Sequence, residues 1–487
     1  MKRNYLTQVV WLLVLTIGLL LALSLIPPIE INFTTKQIDI LSDLRSNEAA
    51  QPTTDTPEKN NGYFVSMQEM TAPIDTNTLV MADTMPSTQE IEETQPVITN
   101  VKRKDGDITL IEDYSAQQIG LRNLIQAIEN RNTLQRPIRI AFLGDSFIEA
   151  DIFTQNVRAL LQDIYGGCGV GYMAMHSDFP GFRRSINQTD KGWNTYNVAT
   201  EQQQPQLTSL PLQIHRAEGE AYTRLKGVNK LRYIDKWNVS TIGFIAEDSA
   251  VIMVKTDSAT YTYDVVPDTK AQFITLQDPT ALLEVRCSSP NVAFWGTWLD
   301  DTEGIAIDNI SMRGYSGTTL AQFPINRLQE LDVAIPYDLI VLQYGLNRMT
   351  ASITHYSPYT QQLIESVAHL REAFPTTDIL IMGIGDRCQN QDGEIKTMEA
   401  VHGMIKAQRN AAIQSQCLFW DCYEAMQQLG GMPAFVENKW ASKDYTHINH
   451  VGGEPLAQEF VKAFKYAIEN SGKNTPSAQP DTINIDQ

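Results

Sequence analysis

The chain has 487 residues and a formal net charge of −19. That length leaves room for more than one domain with a sizeable core, and the acidic balance argues against nucleic acid or an anionic membrane surface as a partner. Five cysteines are too few for a disulfide framework, and none has the spacing of a zinc site, so neither a metal nor a cofactor is expected. A bridge between Cys417 and Cys422 is left open.

The N-terminus predicts a membrane anchor. Lys2 and Arg3 precede an uncharged apolar stretch from Val9 to Ile26. About eighteen apolar residues are enough to span a bilayer as a helix, and preceding basic residues favour a cytoplasmic N-terminus. A cleaved signal peptide is the competing interpretation, but the stretch is long and no small-x-small site follows it. We therefore expect residues 1–33 to be a single-pass inner-membrane anchor, with the rest of the chain in the periplasm or outside the cell.

Two segments have the composition of disordered chain. Residues 34–100 are rich in Thr, Pro, Asp, Glu, Asn and Gln and show no sustained period. Such a composition buries too little apolar area to offset the entropy of ordering, so it predicts a flexible stalk. Residues 471–487 predict a disordered tail for the same reason.

Two regions, 101–178 and 307–470, alternate strand and helix. In the first, a helical face at Leu121 to Ile128 precedes an apolar strand from Ile138 to Leu143 and a helix from Val157 to Ile164. The second has strand patterns at 338–343, 378–384 and 417–420, and helix patterns after Ser357, around 405–413 and over 453–468. This alternation predicts a parallel sheet with helices on both faces.

Residues 179–306 have a different period. Short β-rich runs are separated by Asp, Ser, Pro and Thr; they lie at 241–245, 250–255, 261–265, 272–276 and 282–286. Short strands at regular spacing predict a β-sandwich or jelly roll inserted into the α/β domain. Four tryptophans in this region could stack on sugar rings or pack in a core: Trp193, Trp237, Trp295 and Trp298.

Chemistry is concentrated at two motifs. The strand that ends at Leu143 leads directly into Gly144-Asp145-Ser146, with a helix pattern following. A serine at such a junction lies near free backbone N–H groups that can meet a developing negative charge. Far along the chain, Asp444-x-x-His447 supplies a base and a carboxylate to orient it. Taken singly, Ser146 can be a helix cap and His447 a surface turn residue; together they predict an acyl-transferring serine enzyme.

Four blocks in order resemble the SGNH, or GDSL-like, hydrolases. They are Gly144-Asp145-Ser146, Gly314-Tyr-Ser-Gly317-Thr318, Gly345-Leu-Asn347 and Asp444-x-x-His447. The resemblance implies a three-layer α/β/α sandwich with Ser146 as nucleophile, His447 as base and Asp444 as its orienting partner. It further implies an oxyanion hole formed by Ser146, Gly317 and Asn347.

An inserted β module on an extracytoplasmic tether resembles the peptidoglycan O-acetylesterases and the polysaccharide O-acetyltransferases. That resemblance implies an acetylated glycan as substrate and an acyl-enzyme on Ser146 that water hydrolyses. One alternative is a transferase that receives acetyl from a membrane O-acyltransferase partner. Another is a glycan-binding subunit without catalysis.

Residues beside the motifs have more ordinary predicted roles. Glu149 and Asp151 either cap the following helix or line the site entrance, and capping is the preferred interpretation. His450 is interpreted as a residue that supports the site or lies at the surface. Asp386 and Arg387, at the end of a predicted strand, are candidate substrate contacts.

Overall fold

The computed structural model describes residues 101–198 and 204–473. The predicted anchor (1–33), the predicted stalk (34–100) and residues 474–487 of the predicted tail lie outside the described residues. Within the described ranges, no helix combines the length and the apolar character that crossing a bilayer requires.

Strands and helices alternate with the following bounds. The strands are β1 (Lys104–Asp105), β2 (Ile108–Thr109), β3 (Ile111–Asp113), β4 (Ile138–Gly144), β5 (Gly171–Met173), β6 (Ile186–Asn197), β7 (Gln213–Gly227), β8 (Val239–Ala246), β9 (Ala250–Lys255), β10 (Thr260–Val265), β11 (Gln272–Leu276), β12 (Leu282–Cys287), β13 (Val292–Asp300), β14 (Ile305–Ser311), β15 (Leu339–Gln343), β16 (Asp378–Met382), β17 (Cys388–Gln391), β18 (Glu394–Thr397) and β19 (Leu418–Trp420). The helices are α1 (Arg122–Glu129), α2 (Thr154–Tyr165), α3 (Ile325–Ala334), α4 (Ser357–Ala373), α5 (Glu399–Gln414), α6 (Cys422–Gln428), α7 (Gly431–Glu437) and α8 (Gly453–Asn470).

A six-stranded sheet has the order β14-β4-β15-β16-β19-β3. Its first five strands are parallel, as the alternating pattern predicts, but β3 is an antiparallel edge strand. The sequence pattern missed β3 because a charged residue, Glu112, stands at its centre. The Glu112 carboxylate is buried and lies 2.9 Å from Nε of Arg409. An ion pair therefore occupies a buried position at which the sequence pattern of a strand would have an apolar side chain.

Helices cover the six-stranded sheet as layers. On one face, Phe142 of β4 packs edge-on against Phe153 and Phe460, which belong to the segments of α2 and α8. Successive side chains of a strand point to opposite faces, so Ala141 and Leu143 point away from this layer. Both are fully buried. The opposite face is therefore covered as well, in agreement with an α/β/α arrangement.

Residues 171–300 supply a nine-stranded sheet. Its main path is β10-β9-β12-β7-β13-β8-β11, with β5 beside β13 and β6 beside β7. The predicted boundaries at 179 and 306 differ from this arrangement, because β5 begins at Gly171 and because Ile305 already belongs to the parallel sheet. The short strands β8 to β12 agree with the sequence pattern, whereas the long strands β6, β7 and β13 were not predicted. That this part of the chain is a β-sandwich or jelly roll inserted into the α/β domain stays a prediction.

The four tryptophans of this region pack in the interior, so the sugar-stacking interpretation is wrong for them. Trp237, Trp295 and Trp298 are fully buried and Trp193 is 8% exposed. Trp295 and Trp298 belong to the same apolar core as the parallel sheet, whereas Trp193 and Trp237 belong to a second core within the nine-stranded sheet. The two sheets therefore share packing, because one face of the nine-stranded sheet contributes to the main core.

All five cysteines are free. Cys417 and Cys422, between which the sequence allowed a disulfide bridge, flank the strand Leu418–Trp420. An extended strand rises about 3.3 Å per residue and so holds its two ends apart.

Candidate active site

Three loops meet at the carboxyl edge of the parallel sheet. Strand β4 lies between β14 and β15, and Gly144 at its end pairs with Ser311 of one neighbour and Gln343 of the other. Ser146 follows β4, Gly317 follows β14 and Asn347 follows β15. Because carboxyl ends of neighbouring parallel strands meet at one edge, residues that are far apart in sequence become neighbours.

Ser146, His447 and Asp444 form a continuous chain of hydrogen bonds. Oγ of Ser146 lies 2.9 Å from Nε2 of His447, and Nδ1 of His447 lies 2.7 Å from Oδ2 of Asp444. With Nδ1–H donating to the carboxylate, Nε2 is left to accept the serine proton. The three predicted residues are thus brought together, and the acceptor nitrogen of the imidazole faces the serine hydroxyl, as activation of a serine requires.

The orientation of His447 depends on contacts within its own turn. Oδ1 of Asp444 accepts hydrogen bonds from the backbone N–H of His447 at 3.1 Å and of Thr446 at 3.0 Å. Burial raises the pKa of Asp444, but the hydrogen bonds from the His447 side chain and from the backbone outweigh it, and the net shift is downward. Asp444 therefore remains a carboxylate that holds the imidazole in one tautomer.

The turn after Ser146 is strained and is held by buried ions. Ala150 and Asp151 have φ values of 54° and 65°, a conformation that costs energy for residues with a Cβ. The Asp151 carboxylate lies 2.8 Å from Nη1 of Arg158 and 3.0 Å from Nη2 of Arg183, and it also accepts a hydrogen bond from Ser185. Burial alone would raise the pKa of Asp151, but the two arginines lower it. This network ties the nucleophile turn to the segment that enters β6.

The cap interpretation of Glu149 and Asp151 is wrong, because α2 begins only at Thr154 and neither side chain caps it. Asp151 serves instead as the buried anion for Arg158. Glu149 pairs with Arg313 at 2.6 Å. Burial raises the pKa of Glu149, and His447 and Arg313 act against that shift, so Glu149 lies within electrostatic reach of the imidazole. Because Asp151 precedes α2 and has a positive φ, helical spacing gave no sequence signal for its pairing with Arg158.

Two of the three predicted oxyanion-hole residues, Gly317 and Asn347, lie on adjoining loops. Gly317 has φ = 76°, and a Cβ at this position would come within 2.5 Å of the Tyr344 ring, so the loop requires glycine. Nδ2 of Asn347 donates to the carbonyl of Tyr315 at 3.1 Å, which places the amide beside the Gly317 loop. Between the described residues, neither donor has a hydrogen bond to Ser146. The side chain of Asn347 is exposed and keeps a second N–H for a ligand.

Asp145, the middle residue of the first block, is fully buried beneath the nucleophile. Its Oδ1 accepts from the N–H of Phe147 at 2.9 Å. Burial raises its pKa to about 6, against the opposing effect of that hydrogen bond and of His447. Its role is to shape the turn from below.

In residues 101–198 and 204–473, no group of three or more His, Cys, Asp or Glu side chains is arranged to hold a metal ion.

No protein-family model and no curated protein matches the chain. Its fold, however, matches solved structures. One, titled "Peptidoglycan O-acetylesterase in action, 5 min", has a TM-score of 0.59 and 18% sequence identity and covers 74% of this chain and 99% of its own.

Two carbohydrate esterases have lower scores. A family two enzyme from Clostridium thermocellum has a TM-score of 0.23 and 10% identity, covering 51% of this chain and 92% of its own. A family 3 enzyme from Talaromyces cellulolyticus has a TM-score of 0.24 and 17% identity, covering 34% and 72%. The chain shares its fold with the first of these structures, whose title names a peptidoglycan O-acetylesterase.

Proposed function

We propose that this chain is a serine esterase that removes O-acetyl groups from peptidoglycan or another exported glycan through an acyl-enzyme on Ser146. One observation carries the proposal. The Ser146 hydroxyl, the His447 imidazole and the Asp444 carboxylate are joined by contacts of 2.9 and 2.7 Å at the carboxyl edge of the sheet. A serine hydroxyl is a poor nucleophile near neutral pH until a neighbouring base takes its proton.

The first half of the reaction acylates Ser146. Its Oγ attacks the acetyl carbonyl while Nε2 of His447 accepts the proton, and Asp444 stabilises the imidazolium. The oxyanion of the tetrahedral intermediate would accept hydrogen bonds from the backbone N–H groups of Ser146 and Gly317 and from the Asn347 amide. When the intermediate collapses, the sugar oxygen leaves with the proton held by His447.

The second half releases acetate. His447 takes a proton from water as the water oxygen attacks the acetyl carbon of the acyl-enzyme. The second intermediate then collapses: the bond between the acetyl carbon and Oγ of Ser146 breaks, acetate leaves, and His447 returns its proton to Oγ. The glycan assignment is supported by the fold shared with an acetylesterase of peptidoglycan. Transfer in place of hydrolysis would require only that a sugar hydroxyl attack the acyl-enzyme instead of water.

Replacement of the nucleophile tests the proposal. With 4-nitrophenyl acetate and with acetylated glycan, Ser146→Ala should lower kcat by about four to six orders of magnitude, the scale of losing the nucleophile of a triad. Its melting temperature should stay close to wild type. Ser352→Ala, a change at an exposed serine of another loop, is the matched control and should keep full activity. A folded Ser146→Ala protein with wild-type turnover would disprove the proposal.

The same assay separates the alternatives. Free acetate as the product supports the esterase, whereas acetyl recovered on an added glycan acceptor supports a transferase supplied by a membrane O-acyltransferase partner. A folded wild-type protein that binds glycan without turning over any ester would instead be a non-catalytic subunit.

We also propose that the active site faces the outside of the inner membrane. The support is the order of Lys2, Arg3 and the apolar stretch from Val9 to Ile26. Protease added to spheroplasts should cut within residues 34–100 and release active enzyme. Protection of the catalytic part in intact spheroplasts would contradict this location.

A further inference from the structure

Unpaired arginines are concentrated around the candidate site. Among the described residues, the side chains of Arg122, Arg184, Arg348 and Arg387 have no hydrogen bond and no ion pair, while the other described arginines have at least one. Arg122 begins α1, whose next residue, Asn123, contacts Asp378 at the opposite, amino edge of the parallel sheet. Arg387 lies beside the turn that carries His447, Arg184 lies near His450, and Arg348 directly follows Asn347.

Arg387 is central to this group. It lies between β16 and β17, and the neighbouring N–H of Cys388 donates to the carbonyl of Tyr445 at 2.9 Å. Arg387 therefore runs alongside the turn that holds Asp444. Its side chain is partly buried. Burial lowers its pKa, and the nearby Asp444 and Tyr356 act in the opposite direction. A guanidinium that has lost part of its water without gaining a hydrogen bond is an unsatisfied donor.

No protein carboxylate satisfies that donor. Asp444 attracts Arg387 but lies beyond ion-pair distance and is already committed to His447 and Thr446. Asp386, next to Arg387 in sequence, is buried and accepts hydrogen bonds from Thr397, Gln427 and Met432. The guanidinium is thus free to meet an anion that arrives from outside.

Two further arginines add charge at the same site. Arg348 directly follows Asn347 and is exposed. Arg184 is exposed and close enough to His450 to help lower the pKa of that histidine, behind the larger effect of burial. Phe182, two residues before Arg184, packs edge-on against His450 with ring centroids 5.5 Å apart. The loops that carry Asn347, Arg387 and the start of β6 thus each present an unpaired cation.

We propose that Arg387, supported by Arg348 and Arg184, binds a carboxylate of the substrate, so that the preferred substrate is an acidic acetylated glycan. This inference rests on the proposed esterase function and narrows its substrate class. The planar fork of a guanidinium matches the two oxygens of a carboxylate, and charge-assisted pairs of this kind are among the stronger hydrogen bonds. The carboxylate can belong to a uronic acid or to a lactyl ether on an amino sugar.

The test uses the full chain and two pairs of substrates. One pair is an O-acetylated uronic-acid disaccharide and its carboxyl-reduced counterpart; the other is an O-acetylated muramic-acid disaccharide and its carboxyl-reduced counterpart. The quantity measured is the ratio of kcat/KM between the acidic and the reduced member of each pair. We expect wild type to prefer one acidic member by about tenfold to a hundredfold, the scale of one charge-assisted pair. The pair that shows the preference identifies the source of the carboxylate.

Variants then assign the preference to Arg387. Arg387→Gln should lower the ratio to near one, and Arg387→Lys should restore part of it because the charge returns without the fork. Arg122→Gln removes the same charge at the opposite edge of the sheet and should keep the wild-type ratio. Arg348→Gln, at an exposed side chain, should lower the ratio about threefold through loss of a more distant charge. The Arg348→Gln variant therefore tests the proposed carboxylate site even if Arg387→Gln fails to fold.

Two results would overturn the proposal. A wild-type enzyme that hydrolyses 4-nitrophenyl acetate but shows no preference in either pair has no carboxylate site. An Arg387→Gln enzyme that loses the acidic and the reduced substrate equally would place Arg387 behind Asp444 as a positioning residue. Failure of the proposed function is distinct from both, since the wild type would then turn over no ester at all.

Discussion

Ser146 and His447 share one hydrogen bond, yet their surroundings are built in opposite ways. Ser146 is 6% exposed and follows a fully buried strand, with Asp145 beneath it and the Asp151–Arg158–Arg183 network behind it. The side chains of His447 and Asp444 are 36% and 32% exposed, and they lie on a loop between α7 and α8. The nucleophile is held by distant parts of the chain, whereas the base is held by its own turn.

This difference has a physical basis. A strained turn such as Ala150-Asp151 persists only if its surroundings determine it, and the arginines that do so come from α2 and from the segment before β6. The base needs only the correct tautomer, which Asp444 supplies from three residues away. Substitutions in the network that supports the Ser146 turn should therefore lower stability, whereas substitutions of Asp444 or His447 should lower turnover.

Among the residues that support Ser146 and His447, the largest effect is expected on the open side. Asp444→Asn should lower kcat by about 10⁴, the loss that follows when the orienting carboxylate of a triad is replaced by an amide and the wrong tautomer results. The melting temperature should change little because the side chain is partly exposed. Parallel measurement of kcat and thermal unfolding checks this. A large loss of stability would show that the loop is as tightly held as the nucleophile turn.

On the buried side, Asp151→Asn should lower the free energy of unfolding by about 3–5 kcal/mol, because Arg158 and Arg183 are left as buried, unpaired charges. The matched control is Asp163→Asn in α2, where the partner Arg232 is 59% exposed and the expected cost is about 0–1 kcal/mol. Urea unfolding of both variants provides the comparison. Equal costs would mean that the buried network does not hold the turn.

Asn347→Ala should lower kcat by about a hundredfold, the usual effect of losing one oxyanion donor. Its side chain is exposed, so the urea midpoint should stay near that of wild type. Asn347→Asp keeps the size but removes the N–H donors and should be equally impaired. If the urea midpoint falls while kcat is preserved, the hydrogen bond to Tyr315 is structural and the oxyanion role is wrong.

The smallest effect concerns His450, which joins the two sides by donating from Nε2 to the carbonyl of Ala150 at 3.2 Å. Burial, and then Arg184, lower its pKa to about 4. In the unfolded chain an ordinary histidine takes up a proton near pH 6.5, so His450 stabilises the fold fully above that pH. This contribution is lost as the pH falls from about 6.5 to about 4, at about 1.4 kcal/mol per pH unit.

His450→Gln should therefore reduce the loss of stability between pH 7 and pH 5 relative to wild type. Glutamine keeps an N–H donor for Ala150 but does not titrate. His215, whose pKa burial lowers to about 3, is present in both proteins and cancels in the difference. Identical pH profiles for the variant and wild type would show that His450 is not the titrating group.

Local patterns predicted much of the fold and the candidate site. The Asp444-x-x-His447 contact spans only three residues, so sequence spacing was enough to pair these two side chains. The strand that leads into Gly144-Asp145-Ser146 is likewise a short motif that singles out Ser146. The hydrogen bond between Ser146 and His447 joins residues 301 positions apart and therefore depends on the fold. The predicted short strands of the β-rich region agree with the structure because a period of two is a local property.

Other features were decided only by tertiary structure. Asp151 became a buried anion instead of a cap because Arg183 approaches it from the segment before β6, and no local pattern records that approach. Trp295 and Trp298 became core residues because the nine-stranded sheet packs against the parallel sheet. Burial of a tryptophan or a carboxylate is a property of what lies across from it in space. The sequence by itself determined which groups are available for chemistry, and long-range packing decided which of them are held rigidly and which remain open to a substrate.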